Sequence, residues 1–302
     1  MSMINKVPAS AGAQWLLDGL ATLRQAPLQL GVLGALWALL SLVAAQLMML
    51  ATVPGLFLQL LLGLASPVLF AGVLGAVRKA AAAQPVKPGD LFGGFRSGHV
   101  PSLVATLLPQ VLLALFAGLL LMVLLGTEGV QQLQTVIAHL EEQAASGGQP
   151  DPALVAQLPA GRLLLWLVLL IAGALVASLL VFVAVPDVTF AGRRGGEAMF
   201  NSLRACLHNL PAVVVFYLLL FIVLVPLLVI VQLLGLAVSM VAGQMIGVLL
   251  TNVLLMGVML PLLGGCVTSA WRQLLGQGQD SAVSGGISPP PAPPSNPGTF
   301  AA

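Results

Sequence analysis

The sequence predicts an all-α integral membrane fold. Six transmembrane helices form three hairpins, each preceded by a short cytoplasmic amphipathic helix. Three observations carry this. The 302 residues are 59% hydrophobic and only 7% charged, with mean hydropathy +1.07; a soluble domain carries about 25% charge, so this chain cannot cover a water-facing surface. Six apolar runs have the length of about 20 residues that a helix needs to cross the hydrocarbon core. Finally, ten of the eleven basic residues fall on one side of the membrane once the runs are threaded alternately.

The expected spans are 28–50, 56–77, 103–125, 163–185, 212–234 and 245–270. Backbone polar groups cannot stay bare in lipid, so each run is expected to be helical. Alternating strand patterns are absent. With the N-terminus inside, the cytoplasmic segments hold Lys6, Arg24, Arg78, Lys79, Lys87, Arg96, Arg193, Arg194, Arg204 and Arg272, leaving Arg162 outside. Lys and Arg are retained on the cytoplasmic side during insertion. The expected location is therefore a bacterial inner (plasma) membrane, multi-pass, with both termini cytoplasmic. Residues 1–10 lack the short apolar core of a cleavable signal, so the first run is expected to act as an uncleaved anchor.

Between the hairpins lie the informative loops. Residues 1–27 form a cytoplasmic N-terminus with an amphipathic helix: Leu16, Leu17, Leu20 and Leu23 share one face, and Gln14, Asp18 and Gln25 the other. Before the second hairpin, Gly89–Arg96 reads G-D-L-F-G-G-F-R, with Asp90 as a natural N-cap. Before the third, Met199, Leu203, Cys206, Leu207 and Leu210 recur at helical spacing opposite Glu197, Asn201, Arg204 and His208. Such helices are expected to lie in the interface with the apolar face down. The long outside loop, 126–161, is expected to hold a helix over Gly129–Ala145 and a further turn at Pro152–Leu158. Residues 273–302 turn Gly-, Ser- and Pro-rich and are expected to be a disordered cytoplasmic tail.

A weak internal repeat runs through the hairpins. Each second helix carries a proline near its inner end: Pro67, Pro186 and Pro261. P-V-L-F-A-G at Pro67–Gly72 matches P-D-V-T-F-A-G at Pro186–Gly192 with one residue inserted.

No catalytic or cofactor motif is present, and no cofactor is expected. His99, His139 and His208 are scattered over different loops, whereas a zinc site needs three or four clustered ligands. Cys206 and Cys266 are no disulfide framework. A net charge of +2 with no basic–aromatic cluster gives no support to nucleic acid as a partner. Proton-coupled carriers need ionisable residues inside the spans. Asp187 comes closest, and its leading reading is a cap where the fourth span ends; a coupling or gating role is the other. Gln110 and Asn252 are amides within spans, expected to face other helices as interhelical glue or to line a pathway. Arg193 and Arg194, flanked by glycines, together with Arg204, are the candidate site for a lipid headgroup, because glycines and a helix N-terminus suit an anion.

Three stretches carry a family resemblance. They are A-Q-W-L-L-D-G-L-A-T-L-R-Q-A-P at 13–27, P-V-L-F-A-G followed by G-D-L-F-G-G-F-R, and P-D-V-T-F-A-G with E-A-M-F-N-S-L-R-A-C-L-H-N-L-P at 197–211. Together they resemble an uncharacterised family of bacterial six-span inner-membrane proteins, recognised by an A-M-x-x-S-x-x-A-x-x-x-N-like segment. Here that segment is Ala198, Met199, Ser202, Ala205 and Asn209. A more distant similarity is to the membrane domain fused to glycerophosphodiester phosphodiesterases. The resemblance implies no catalytic residue, and with no soluble phosphodiesterase domain expected in these residues it does not imply that activity. The expected function is therefore a non-enzymatic membrane protein that engages membrane lipids, another membrane protein or a second copy of itself. A permease for a small or apolar solute is the alternative, and a polar cavity joining Gln110 to Asn252 would favour it.

Overall fold

A computed structural model describes residues 4–145 and 158–276. Regular structure among them is entirely helical: α1 (Ala11–Gln25), α2 (Pro27–Leu50), α3 (Thr52–Ala81), a 3-10 helix (Pro88–Arg96), α4 (Val100–Ala105), α5 (Leu108–Ala145), α6 (Ala160–Val181), α7 (Ala184–Ala191), α8 (Gly195–His208), α9 (Leu210–Ala242) and α10 (Gln244–Leu274). Six stretches are long and apolar enough to cross a membrane: Pro27–Leu50, Thr52–Ala81, Val100–Gln143, Ala160–Ala191, Leu210–Ala242 and Gln244–Leu274. Each contains one of the expected spans. The chain is an all-α, six-span membrane protein.

The turns opposite the basic loops are tighter than expected. One residue, Ala51, separates α2 from α3, and one, Gly243, separates α9 from α10. Gly243 has φ +93°, which a side chain would strain. The helix expected over Gly129–Ala145 is a continuation of α5, offset by non-helical Gly126. The turn expected at Pro152–Leu158 and the Pro-rich tail fall almost wholly outside the described residues. Of the tail's first residues, Gln273 and Leu274 still belong to α10.

Helices cross closely where side chains are small. A Cβ on Gly34 of α2 would collide with Met256 O of α10, and one on Gly247 of α10 would collide with Ser239 Oγ of α9. Small residues let apolar helices gain dispersion contact in lipid, where the hydrophobic effect no longer drives association. Burial is uneven. Half of the apolar window of α3 is buried, against 6% of that of the third span, whose main neighbour is α6.

The leading helices do not simply lie on the surface. Each packs against a hairpin other than the one it leads. The 3-10 helix sits on α3, α8 sits on α6 and α7, and α1 sits on α10 and α9. Order around the bundle is thus cyclic: each leader covers the hairpin before its own, and the first covers the last. Glycines permit this. A Cβ on Gly12 would collide with Ala212 O, one on Gly72 with Leu91 O, and one on Gly94 with Val68 O. The three repeat prolines are all buried, Pro67 and Pro261 inside long helices and Pro186 in the first turn of α7.

Two expected faces are corrected. In α1, Leu16 is buried but Leu17 points out, at 63% exposure; the core face is Ala11, Gly12, Trp15, Leu16 and Gly19. In α8, Leu207 is exposed, as is Leu210 at the start of α9, and the buried face is Gly195, Ala198, Met199, Ser202, Ala205 and Cys206. The reason is the same in both. Leucines can face lipid at no cost, whereas small residues are needed where two backbones approach.

Candidate functional site

All the sequence-flagged charges gather at the basic end of the bundle, where α3 and α10 finish and α7, α8 and α1 meet. The local chain explains the layout. α6 stops at Val181, and the backbone at Val183 (φ −115°, ψ 9°) leaves the helical region before α7 restarts. Pro186 falls in the first turn of α7, where its missing N–H costs nothing. Asp187 in the same turn suits the positive end of the helix. Gly192 in the left-handed region (φ 65°) ends α7, and Arg194 then precedes α8.

Asp187 is fully buried and does not cap a helix end, so the capping role expected of it is corrected. Its Oδ1 accepts a hydrogen bond from Trp271 Nε1 at 3.0 Å, and its Oδ2 accepts one from Arg193 Nη1 at 3.2 Å. A buried carboxylate requires such partners, because desolvating it alone costs several kcal/mol. The network extends further. Phe190 packs on Trp271 with ring centroids 5.2 Å apart, and the Arg78 guanidinium lies 5.4 Å from the Phe190 ring centre. One continuous patch thereby joins α3, α7 and α10.

A second knot lies beside it. Asn209 is 1% exposed. Its Oδ1 accepts from Val7 N at 2.7 Å, and its Nδ2 donates to Asn5 O and Ala205 O, both at 3.0 Å. Asn5 N donates to Leu274 O at 3.1 Å, and Trp15 Nε1 donates to Gln273 Oε1 at 2.9 Å. The segment before α1 is thus strapped across the ends of α8 and α10. Ser202 completes the knot, accepting from Val183 N at 3.1 Å and donating to Leu179 O at 2.7 Å. Ala198, Met199, Ser202, Ala205 and Asn209, the residues of the A-M-x-x-S-x-x-A-x-x-x-N segment, are all buried. The segment is a packing face. Below it, the centre of the basic half is filled by Trp15, Phe182 and Phe216, whose ring centroids lie 5.4–6.0 Å apart.

The arginines divide. Arg193 is held by Asp187, with its side chain 24% exposed. Arg194 and Arg204 are exposed, and Arg204 lies over the ring of Phe200, 5.6 Å from its centre. Phe200 and Leu207 are exposed on the same helix. Burial pushes the Cys206 thiol up to about 12, against a hydrogen bond from Ser202 that acts the other way; a thiol so raised is a poor nucleophile. Among the described residues, no three of His, Cys, Asp and Glu come together to hold a metal.

The span amides lie elsewhere. Gln110 was expected to face another helix; it is exposed, and its amide nitrogen donates to Thr106 O at 2.9 Å and Leu107 O at 3.1 Å. Carbonyls near the break between α4 and α5 satisfy it locally. Asn252 Nδ2 donates to Val248 O at 2.9 Å, within its own helix. It lines a cleft of about 600 Å³ beside α9 and α10, with Gln232, Ser239, Gln244 and Thr251; Gln110 does not line it.

Trp271, Phe190 and Arg78 were not recognisable as a group in the sequence. Asp187 and Trp271 are 84 residues apart, and nothing local marks them as partners. Comparison with family models, with curated proteins and with solved structures gave no match to this chain.

Proposed function

We propose that this chain is a non-enzymatic protein of a bacterial inner membrane, with its basic end cytoplasmic, and that the rim of this end binds the headgroups of anionic phospholipid. The observation that carries the reading is the division of labour among the arginines. Arg193 is engaged by Asp187, while Arg194 and Arg204 are exposed and pair with no carboxylate among the described residues, Arg204 lying over the ring of exposed Phe200 on a helix that also exposes Leu207. A short helix with outward cations and outward apolar side chains suits the boundary between headgroups and acyl chains. A permease has less support, because rings fill the centre of the basic half and Gln110 is turned back on its own chain.

Native mass spectrometry of the purified protein tests the lipid reading. With phosphatidylglycerol supplied, the Arg194→Gln/Arg204→Gln double variant should retain about thirtyfold less of it, given about 1 kcal/mol for each of the two cations near a charged surface. Unchanged retention would remove the idea. Orientation is tested separately with a membrane-impermeant maleimide. Cys206 and Cys266 are both fully buried, which keeps the background low. Thr127→Cys should label in intact cells and Gln84→Cys only after lysis; the reverse pattern would invert the topology.

A further inference from the structure

We infer a second binding site, independent of the basic rim, in a cleft between α2 and α3: a site for an uncharged lipid that presents a carbonyl oxygen. The cleft has a volume of about 180 Å³ and is lined by Trp37, Ser41, Gln59, Ser66, Leu62 and Leu69, among others. At 1.5 Å per residue, Trp37 lies about 15 Å along the 24-residue α2. Ser66 lies midway along the 30-residue α3. The site therefore sits near the middle of the hydrocarbon layer, where water does not compete for hydrogen bonds.

The indoles make the case. The chain has four tryptophans. Trp15 donates to Gln273 Oε1, Trp166 to Ala117 O and Trp271 to Asp187 Oδ1. Trp37 is the exception: its N–H meets no acceptor among the described residues, and Trp37 is one of the residues that line the cleft. Two more polar groups on the same cleft, the amide of Gln59 and the hydroxyl of Ser41, also have no protein partner there. Ser66 is satisfied, donating to Gly63 O at 2.7 Å. An indole N–H can only donate, so its complement is an acceptor. An unmet donor in hydrocarbon costs a few kcal/mol, which an occupant's oxygen would recover.

The lining also defines the occupant's charge and size. None of the lining residues is ionisable, so a charged headgroup would be desolvated without compensation. Leu62 and Leu69 offer apolar surface to the body of the molecule. A single ring or a glyceryl ester fits the volume, while a whole lipid does not, so the tail would lie outside along α2 and α3. Two sources share this chemistry: the head of a lipid-soluble quinone and the ester of a diacylglycerol.

Decyl-benzoquinone and dioctanoylglycerol, each titrated into the detergent-solubilised full-length protein, separate them. Bound probe is counted by mass spectrometry after size exclusion. The expected result is saturable retention of about one equivalent of one probe, weakened five- to tenfold in Trp37→Phe, which keeps the ring and removes the donor. Trp166→Phe, whose indole is bonded to Ala117 O on the neighbouring helix, should leave retention unchanged. Saturable binding of neither probe overturns the proposal. So does an equal effect of the two Trp variants, which would mark partition into detergent or a general loss of packing. Thermal melting of both variants shows whether the fold is retained.

Discussion

At the basic end, Asp187, Ser202 and Asn209 each bond to another element, reaching Trp271, Val183 and Asn5. Toward the opposite end, most polar side chains turn back on their own helix, Ser66 to Gly63, Ser239 to Gly235 and Asn252 to Val248, while α6 reaches across, with Trp166 and Arg162 donating to Ala117 O and Leu124 O of α5. The difference teaches where this bundle is held. A hydrogen bond between elements fixes their relative position; a bond within one helix satisfies a polar atom and fixes nothing else. Apart from that α5–α6 pair, the opposite end is held instead by packing at small residues such as Gly235 and Gly247. Hence the basic end should melt as a unit and respond strongly to single substitutions, while polar substitutions at the other end should be tolerated.

The sharpest way to break this contrast is Asp187→Ala. It strands the Trp271 N–H and a largely buried Arg193, and removing one member of a buried pair costs about 3 kcal/mol. A large drop in melting temperature in detergent is expected; a shift of a degree or less would show that the network does not hold the end together. Asn209→Leu removes three hydrogen bonds to backbone, one of them buried and two part-buried, and should cost about 2 kcal/mol. Limited proteolysis should then cut ahead of α1 faster than in the unaltered protein. Equal cutting rates would show that Asn209 does not secure the strap.

A smaller effect is expected at Asp90. Burial acts to raise its carboxyl, but the hydrogen bonds from Lys79 and from Lys87 N, with the charges of both lysines, outweigh it and hold the group below the usual 3.8. Asp90 lies third in the 3-10 helix, and its carboxylate reaches back to Lys87 N rather than capping from in front. A depressed value means stability that is present above the unfolded value and lost as pH falls through the folded one. The contribution is therefore whole at neutral pH and declines as pH falls below about 4. Lys79 is 44% exposed, so solvent screening limits the pair to about 0.5 kcal/mol. Asp90→Asn should lower the melting temperature slightly at pH 7 and less at pH 3. Equal shifts at both pH values would point to packing instead. Smallest of all is Asn252→Leu, expected within about 0.5 kcal/mol of the unaltered protein, because its amide bonds only to its own helix. A loss above 2 kcal/mol would mean that Asn252 bonds across to another helix.

Part of the candidate site could be read in the sequence. Arg193 and Arg194 stood out as a pair between glycines, and Ser202 and Asn209 through the resemblance segment. What could not be read is that the two arginines differ. Arg193 is turned inward by a carboxylate six residues before it, and Arg194 is exposed. That depends on the left-handed turn at Gly192, whose geometry sets which side chain points back toward α7.

The sequence by itself determined the membrane class, the number of spans and where each begins to within a few residues, while the third span runs on to Gln143, well past the expected end at 125. Hydropathy and length are local quantities, and lipid imposes both on every crossing segment. Only the tertiary structure decided that α1 packs on both α9 and α10, that α8 buries its alanines and serine rather than its leucines, and that Asp187 meets Trp271. In water, a helix advertises its buried face by being apolar on one side. In lipid, both the protein-facing and the lipid-facing sides are apolar, so that contrast vanishes. What remains is shape, at Gly12, Gly34 and Gly247, and a few polar side chains whose partners lie as far as 268 residues away.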